Sequence, residues 1–204
     1  MRLLVGLGNP GSRYAANRHN VGFLAVDAIA RRYGFGSRRA RFQSEVFDGQ
    51  IEGMKFVALK PQTFMNVSGN AVLPALQFYK LLPSDIVVLH DEIDLPLGRV
   101  RVKRGGGAAG HNGLRSIDDA IGPDYWRIRI GVGRPEGATR VKSHVLENFS
   151  VEELTGVGRV IEAIAECFPL MAAGDADRFR SKVDVTLNPP PPKPPRPETP
   201  ADES

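Results

Sequence analysis

The chain opens on a short apolar run, Arg2 to Leu7, that is broken at once by glycine, asparagine and proline. The pattern reads as a buried strand ending in a loop. Beyond it Val21, Leu24, Ala25, Ala28 and Ile29 recur at helical spacing, which predicts an amphipathic helix from Val21 to about Tyr33. A basic connector with Arg38, Arg39 and Arg41 follows. Two strand-like runs come next, Glu45 to Ile51 and Lys55 to Leu59, and their short separation at Glu52-Gly53-Met54 predicts an antiparallel hairpin. After Pro61 a helix is expected to start near Asn66 or Ser68 and to run through Ala71, Ala75, Leu76 and Phe78 to Leu82, with Ser68 as its cap. Ile86 to His90 is nearly all apolar, as a central strand is. Gly98 to Lys103 alternates and sets Arg99, Arg101 and Lys103 on one face. The flexible Gly105 to Gly110 then leads to a helix over Asn112 to Ile121 and to an alternating strand, Trp126 to Val132, on which Arg127 and Arg129 share a face. Ser150-Val-Glu-Glu153 is a capping box opening a long helix that reaches toward Pro169. Helices interspersed among strands, with at least one hairpin, predict an α/β fold: a single domain with a mixed, twisted β-sheet flanked by helices on both faces.

Composition narrows this picture. With 204 residues, 42% of them hydrophobic, the chain can build one substantial core and is short for two. The folded domain is expected over residues 1–187, followed by a proline-rich tail over 188–204 that holds eight of the sixteen prolines and is expected to stay extended and solvated. The net charge is +4 and the pI near 9.4. The tail holds two basic and three acidic side chains, so the positive excess belongs to the folded part, which permits an anionic partner without demanding one. No run approaches a bilayer span, and the apolar N-terminus is too short for a signal peptide, so a soluble, cytoplasmic protein with no membrane partner is expected. Cys167, the only cysteine, allows no internal disulfide and reads as a buried thiol in a helix.

Gly6-Leu-Gly-Asn-Pro-Gly11 fits the glycine pattern of a dinucleotide loop. That reading also needs a tight βαβ unit and an acidic residue about 20 positions on, where this chain has Arg31 and Arg32 inside a helix. His19 follows the same strand-end loop, and Asp91 ends another strand. A His–Asp pair is what a general base requires, because the carboxylate fixes the imidazole tautomer and stabilises the cation formed on proton abstraction. His90, His111 and His144, taken singly, read as satisfied surface or core histidines. A metal-dependent alternative would use Asp91, Glu92 and Asp94. Along a strand, however, His90 and Glu92 face away from Asp91, and neither H-E-x-x-H nor a Cys/His cluster is present, so no metal is expected. There is no G-x-S-x-G elbow for a nucleophilic serine, which favours direct attack by water. Asn9, Asn66 and Asn112 each suit a turn or a helix start. Together, as neutral amide donors, they would suit an ester or amide substrate.

Five segments in order carry a resemblance: Gly6 to Gly11, Tyr14 to Gly22, Lys60 to Gly69, His90 to Pro96 and Gly105 to Leu114. From the first strand to about Lys182 the chain resembles the bacterial-type peptidyl-tRNA hydrolase family. The resemblance implies a monomeric enzyme, without cofactor or metal, that hydrolyses the ester joining a peptide to the terminal ribose of tRNA. It assigns His19 as the base that activates water, Asp91 as its orienting partner, and Asn9, Asn66 and Asn112 as the groups that position the substrate and stabilise its carbonyl. It also places Tyr14, Met65 and His111 at the substrate, and Lys103 and Arg129 on the 5′ phosphate of the tRNA. Where some members carry a further histidine, this chain has Ala108 and Ala109. An RNA-binding module without catalysis remains the alternative beside the metal-dependent hydrolase.

Overall fold

The structure, a computed structural model, describes residues 1–135 and 141–190. The expectation of an extended tail falls on residues that from 191 onward lie outside the described part. Thirteen regular elements are described: β1 (Arg2–Gly6), α1 (Val21–Arg32), β2 (Arg39–Arg41), β3 (Ser44–Ile51), β4 (Met54–Pro61), α2 (Gly69–Tyr79), β5 (Ile86–Glu92), β6 (Val100–Arg104), α3 (Asn112–Ile121), β7 (Trp126–Gly131), α4 (Val141–Leu146), α5 (Val151–Ala172) and α6 (Ala176–Leu187). No helix among them is long and apolar enough to cross a membrane.

Seven strands form one mixed sheet in the order β2-β3-β4-β1-β5-β7-β6. The four central strands, β4, β1, β5 and β7, run parallel, and antiparallel pairs close both edges. Burial on both faces is why β5 reads as an unbroken apolar run. One core joins α1, α5 and α6 to one face through Leu4, Val87 and Leu89, and a second joins α2 and α3 to the other through Leu3, Val5 and Val88.

The opening glycines serve close packing. A Cβ on Gly6 would overlap the carbonyl of Gly22, and one on Gly22 would overlap Leu89 O and Leu7 N, so α1 lies directly on the ends of β1 and β5. Gly22→Ala is expected to lift the head of α1, which follows His19 immediately. The cost should be about 1–3 kcal/mol of stability, typical of overpacking. A melting temperature equal to that of the unsubstituted protein would contradict this account of the contact.

Several expectations need correction. The helix after Pro61 begins at Gly69 behind a 3-10 turn, Met65–Val67, and ends at Tyr79 rather than Leu82 because Lys80 turns left-handed. Leu82 is then 67% exposed. Ser68 is not a side-chain cap: its hydroxyl donates back to Met65 O (2.8 Å), while the Gly69 N–H donates to Ser116 Oγ (2.9 Å). The basic connector is an edge strand, β2, paired with β3. The long helix runs through Pro169 to Ala172. Pro169 cannot bond to the Ala165 carbonyl one turn earlier, and the Tyr33 hydroxyl donates to that carbonyl instead (2.8 Å). Cys167 is buried, as expected.

Candidate functional site

Strands β1 and β5 are neighbours, but the chain leaving β1 turns toward the β2–β4 side and the chain leaving β5 toward the β6–β7 side. Their diverging loops open a crevice at the C-terminal ends, where α/β sheets seat ligands. The loop after β1 places Asn9 there and then His19, in the 3-10 turn Arg18–Asn20 at the head of α1. The loop is held by reciprocal bonds. The Asn9 N–H donates to Asn20 Oδ1 and Asn20 Nδ2 donates to Asn9 O, both at 2.9 Å. The Met65 N–H donates to Asn9 Oδ1 (2.8 Å), which fixes the orientation of that amide and leaves its Nδ2 donors without a protein partner among the described residues.

Arg18, beside His19, is turned away from the crevice. Its buried guanidinium donates to Glu153 Oε2 (2.7 Å) and to the carbonyls of Asn148 (3.1 Å) and His144 (3.3 Å). It therefore ties the turn carrying His19 to α4 and to the head of α5.

At the end of β5, Asp91 Oδ1 accepts from two imidazoles, His19 Nδ1 (2.8 Å) and His111 Nε2 (2.9 Å). An ionised carboxylate only accepts, so both of those nitrogens carry protons. His111 Nδ1 in turn accepts from the backbone N–H groups of Gly113 and Leu114, which caps α3 and sets its tautomer independently. When the His19 ring is neutral, the proton held on Nδ1 makes Nε2 its unprotonated nitrogen. Burial alone depresses the His19 pKa, but the charge and hydrogen bond of Asp91 outweigh it and hold it above the ordinary 6.5. Burial likewise opposes ionisation of Asp91, yet the two facing imidazoles keep its carboxyl well below the usual range. His90, packed edge-on to His111 at 5.1 Å, is kept neutral by its burial, with a pKa lowered to about 3, and donates through Nδ1 to Asp91 O (2.7 Å).

The absence of a metal-type cluster in the sequence motifs does not carry into space. His19, Asp91 and His111 have candidate ligand atoms within 4.8 Å of one another. Chelation would nevertheless require breaking both hydrogen bonds and moving the His111 proton, so the donor set suits a hydrogen-bonded relay better than a metal ion.

His19, Asp91, His111 and Asn112 line one cavity of about 320 Å³. Asn112 also lines an adjoining groove that contains Asn66, and Met65 is buried beneath, tied to Asn9. Asn9 itself lines a third hollow, with Pro10, Phe23 and Lys60, so the three asparagines do not line one cavity. Tyr14 is not among the residues lining these hollows. Its hydroxyl accepts from the neighbouring Arg13, whose guanidinium also lies over the ring.

Arg127 and Arg129, expected on one strand face, differ in burial. Arg127 is 0% exposed and donates to Asp118 Oδ1 and Gly107 O, both at 2.8 Å. Arg129 is partly open and pairs with Glu92 (2.8 Å). Arg99 precedes β6, and Arg101 reaches Asp184 of α6 at 3.7 Å. Lys103 has no ion pair among the described residues, and its pKa is lowered by partial burial and by the nearby charges of Arg129 and Arg127. The same cavity is lined by Ile93, Arg115, Lys142 and Val145, which sequence reasoning missed because three separate loops and helices supply them.

Residues 3–190 match the peptidyl-tRNA hydrolase family. A peptidyl-tRNA hydrolase of Parvibaculum lavamentivorans is 54% identical over 197 residues, 96% of each chain. One of Rhodospirillum centenum is 53% identical over 190 residues, covering 93% of this chain and 84% of the relative. The crystal structure of a peptidyl-tRNA hydrolase from Acinetobacter baumannii superposes with a TM-score of 0.85 at 39% identity, over 91% of this chain and 95% of that one.

Proposed function

The chain belongs to the peptidyl-tRNA hydrolase family, and from that premise we propose that it hydrolyses the ester between a peptide and the terminal ribose of tRNA by attack of a water activated at His19. The observation that carries this reading is the single carboxylate oxygen of Asp91 holding His19 Nδ1–H, so that Nε2 is the basic nitrogen of the neutral ring, on the cavity and without a partner among the described residues. In this reading, Nε2 takes a proton as the water oxygen bonds to the ester carbonyl carbon. The imidazolium so formed is stabilised by Asp91, and the carbonyl electron pair moves onto an oxyanion. Asn9 Nδ2 and the amide of Asn112 are the donors for that oxyanion, and Asn66, in the adjoining groove, orients the attached nucleotide. Collapse breaks the bond to the ribose oxygen, which takes the proton back from His19. Met65 acts through Asn9, and His111 holds Asp91 from its second side. Tyr14, whose hydroxyl accepts from Arg13 and keeps its own proton to donate, is assigned to the substrate in the same reading.

The test is incubation of the purified protein with N-acetyl-aminoacyl-tRNA. Release of the N-acetyl amino acid, undiminished in excess chelator, is the expected result. Binding of tRNA without release would turn the reading to an RNA-binding module, and loss of turnover in chelator would turn it to metal-assisted hydrolysis.

Lys103 and Arg129 are assigned to the 5′ phosphate in the same proposal. A contact remote from the ester acts alike in ground and transition states, so Lys103→Met is expected to raise KM with little change in kcat. It should also flatten the dependence of log affinity on log salt by about 0.7–0.9. Lys103 is the cleaner probe, because neutralising Arg129 leaves Glu92 buried and unpaired. A fall in kcat with unchanged KM and salt slope would place Lys103 in a structural role.

A further inference from the structure

Two cations in the histidine cavity remain unused by this chemistry. Arg115, on the first turn of α3, and Lys142, on α4, line the same space as His19. Neither has an ion pair among the described residues, and both are exposed. The carboxylates that line the cavity are already committed: Asp91 accepts from two imidazoles, and Glu92 accepts from Arg129 and from the Asp94 N–H. Asp119, one turn beyond Arg115, lines the neighbouring groove, and no ion pair joins it to Arg115. Arg115 and Lys142 thus stand beside the base without a carboxylate partner among the described residues.

Resting on the reaction proposed above, we propose that Arg115 and Lys142 form a subsite for the phosphodiester on the 5′ side of the terminal ribose, the linkage nearest the ester. The argument is one of reach. The ester carbonyl under attack at His19 is attached to that ribose, and the ribose carries the phosphodiester on its own 5′ oxygen. A space of about 320 Å³ is at the small end of ligand sites and accommodates a sugar with one phosphate rather than a longer strand. Cations lining it therefore meet this phosphate before any other. Lys103 and Arg129 do not line the cavity and are left for the distant 5′ end. Arg115 also faces the groove holding Asn66 and Asn112, so the strand has a continuous polar path away from the ester. Ala108 and Ala109 also line the cavity, and their small side chains leave room for the sugar.

The experiment compares kcat/KM on three esters of N-acetylphenylalanine, whose acyl group has no carboxylate of its own. The esters are of adenosine, of the trinucleotide CCA and of full tRNA. Lys142→Met and Arg115→Met should each lose about tenfold or more on the CCA ester, the scale of one charge-assisted hydrogen bond. Their loss on the adenosine ester, which has no phosphate, should be several-fold smaller. Lys103→Met should show its loss only on full tRNA, and Lys142→Arg should restore activity on the CCA ester. Replacing the last phosphodiester of CCA by a neutral methylphosphonate should cost the unsubstituted protein about what the variants have already lost, and cost the variants little more. Equal losses on adenosine and CCA esters, or full sensitivity of the variants to the methylphosphonate, would overturn the subsite. Failure of the unsubstituted protein to cleave any of the three esters would instead overturn the hydrolase reading.

Discussion

Replacing His19 by alanine is expected to lower kcat by about 10²–10⁴-fold, the usual contribution of a positioned general base, while tRNA binding persists. The loss is large because the described residues offer no replacement base. His111 directs one nitrogen at Asp91 and uses the other to cap α3, and His90 is buried with its free nitrogen in the core. Binding is expected to survive because the cations proposed to meet phosphate lie on β6, β7, α3 and α4 rather than on the His19 turn. Some rate should remain, since amide donors placed around an oxyanion act without the base. The check is single-turnover release of N-acetyl amino acid together with a tRNA binding isotherm. Unchanged kcat would remove His19 from the chemistry.

Asp91→Asn is expected to be comparably damaging, with a pH signature of its own. Two N–H donors converge on one carboxylate oxygen at 2.8 and 2.9 Å, and a neutral carboxamide can offer that oxygen but no charge. The imidazolium formed in the reaction then has no counter-ion in a buried site. In the intact site Asp91 raises the His19 pKa above 6.5 against the opposing effect of burial. Without the carboxylate charge, burial is opposed only by the hydrogen bond that the carboxamide oxygen can still accept, and the pKa should fall. Because the neutral ring is the active form, activity rises as pH rises through this pKa. The acid limb of the rate profile should therefore move to lower pH in Asp91→Asn while the plateau drops by about 10²–10⁴-fold. A limb left in place would show that Asp91 does not set the basicity of His19.

Local pattern made the elements with one-sided or complete burial legible. The period of α1, the apolar run of β5, the β3–β4 hairpin and the capping box of α5 all declared themselves. What stayed hidden depended on partners distant in sequence. Arg39 to Arg41 are exposed at a sheet edge, so no alternation marks β2. The end of α2 rests on a left-handed lysine, with no glycine to announce it. Helix α6 buries Phe179 and Val183 and is otherwise mostly polar. The position of His19 and Asp91 at strand ends was readable, and their contact follows from the adjacency of β1 and β5. His111 was not readable as a second donor to the same oxygen, since nothing local tells a helix cap from a site residue. Arg127 and Arg129 look alike on one strand face, and only the packing of α3 over the first separates a buried brace from an open cation.

The central claim, that neutral His19 held by Asp91 activates the attacking water, is tested most directly by the pH dependence of kcat/KM on N-acetyl-aminoacyl-tRNA, corrected for spontaneous ester hydrolysis. The account predicts a single ionisation on the acid side, with an apparent pKa above 6.5, that is present in the unsubstituted protein and gone from the residual activity of His19→Ala. An acid limb that survives unchanged in His19→Ala would contradict it.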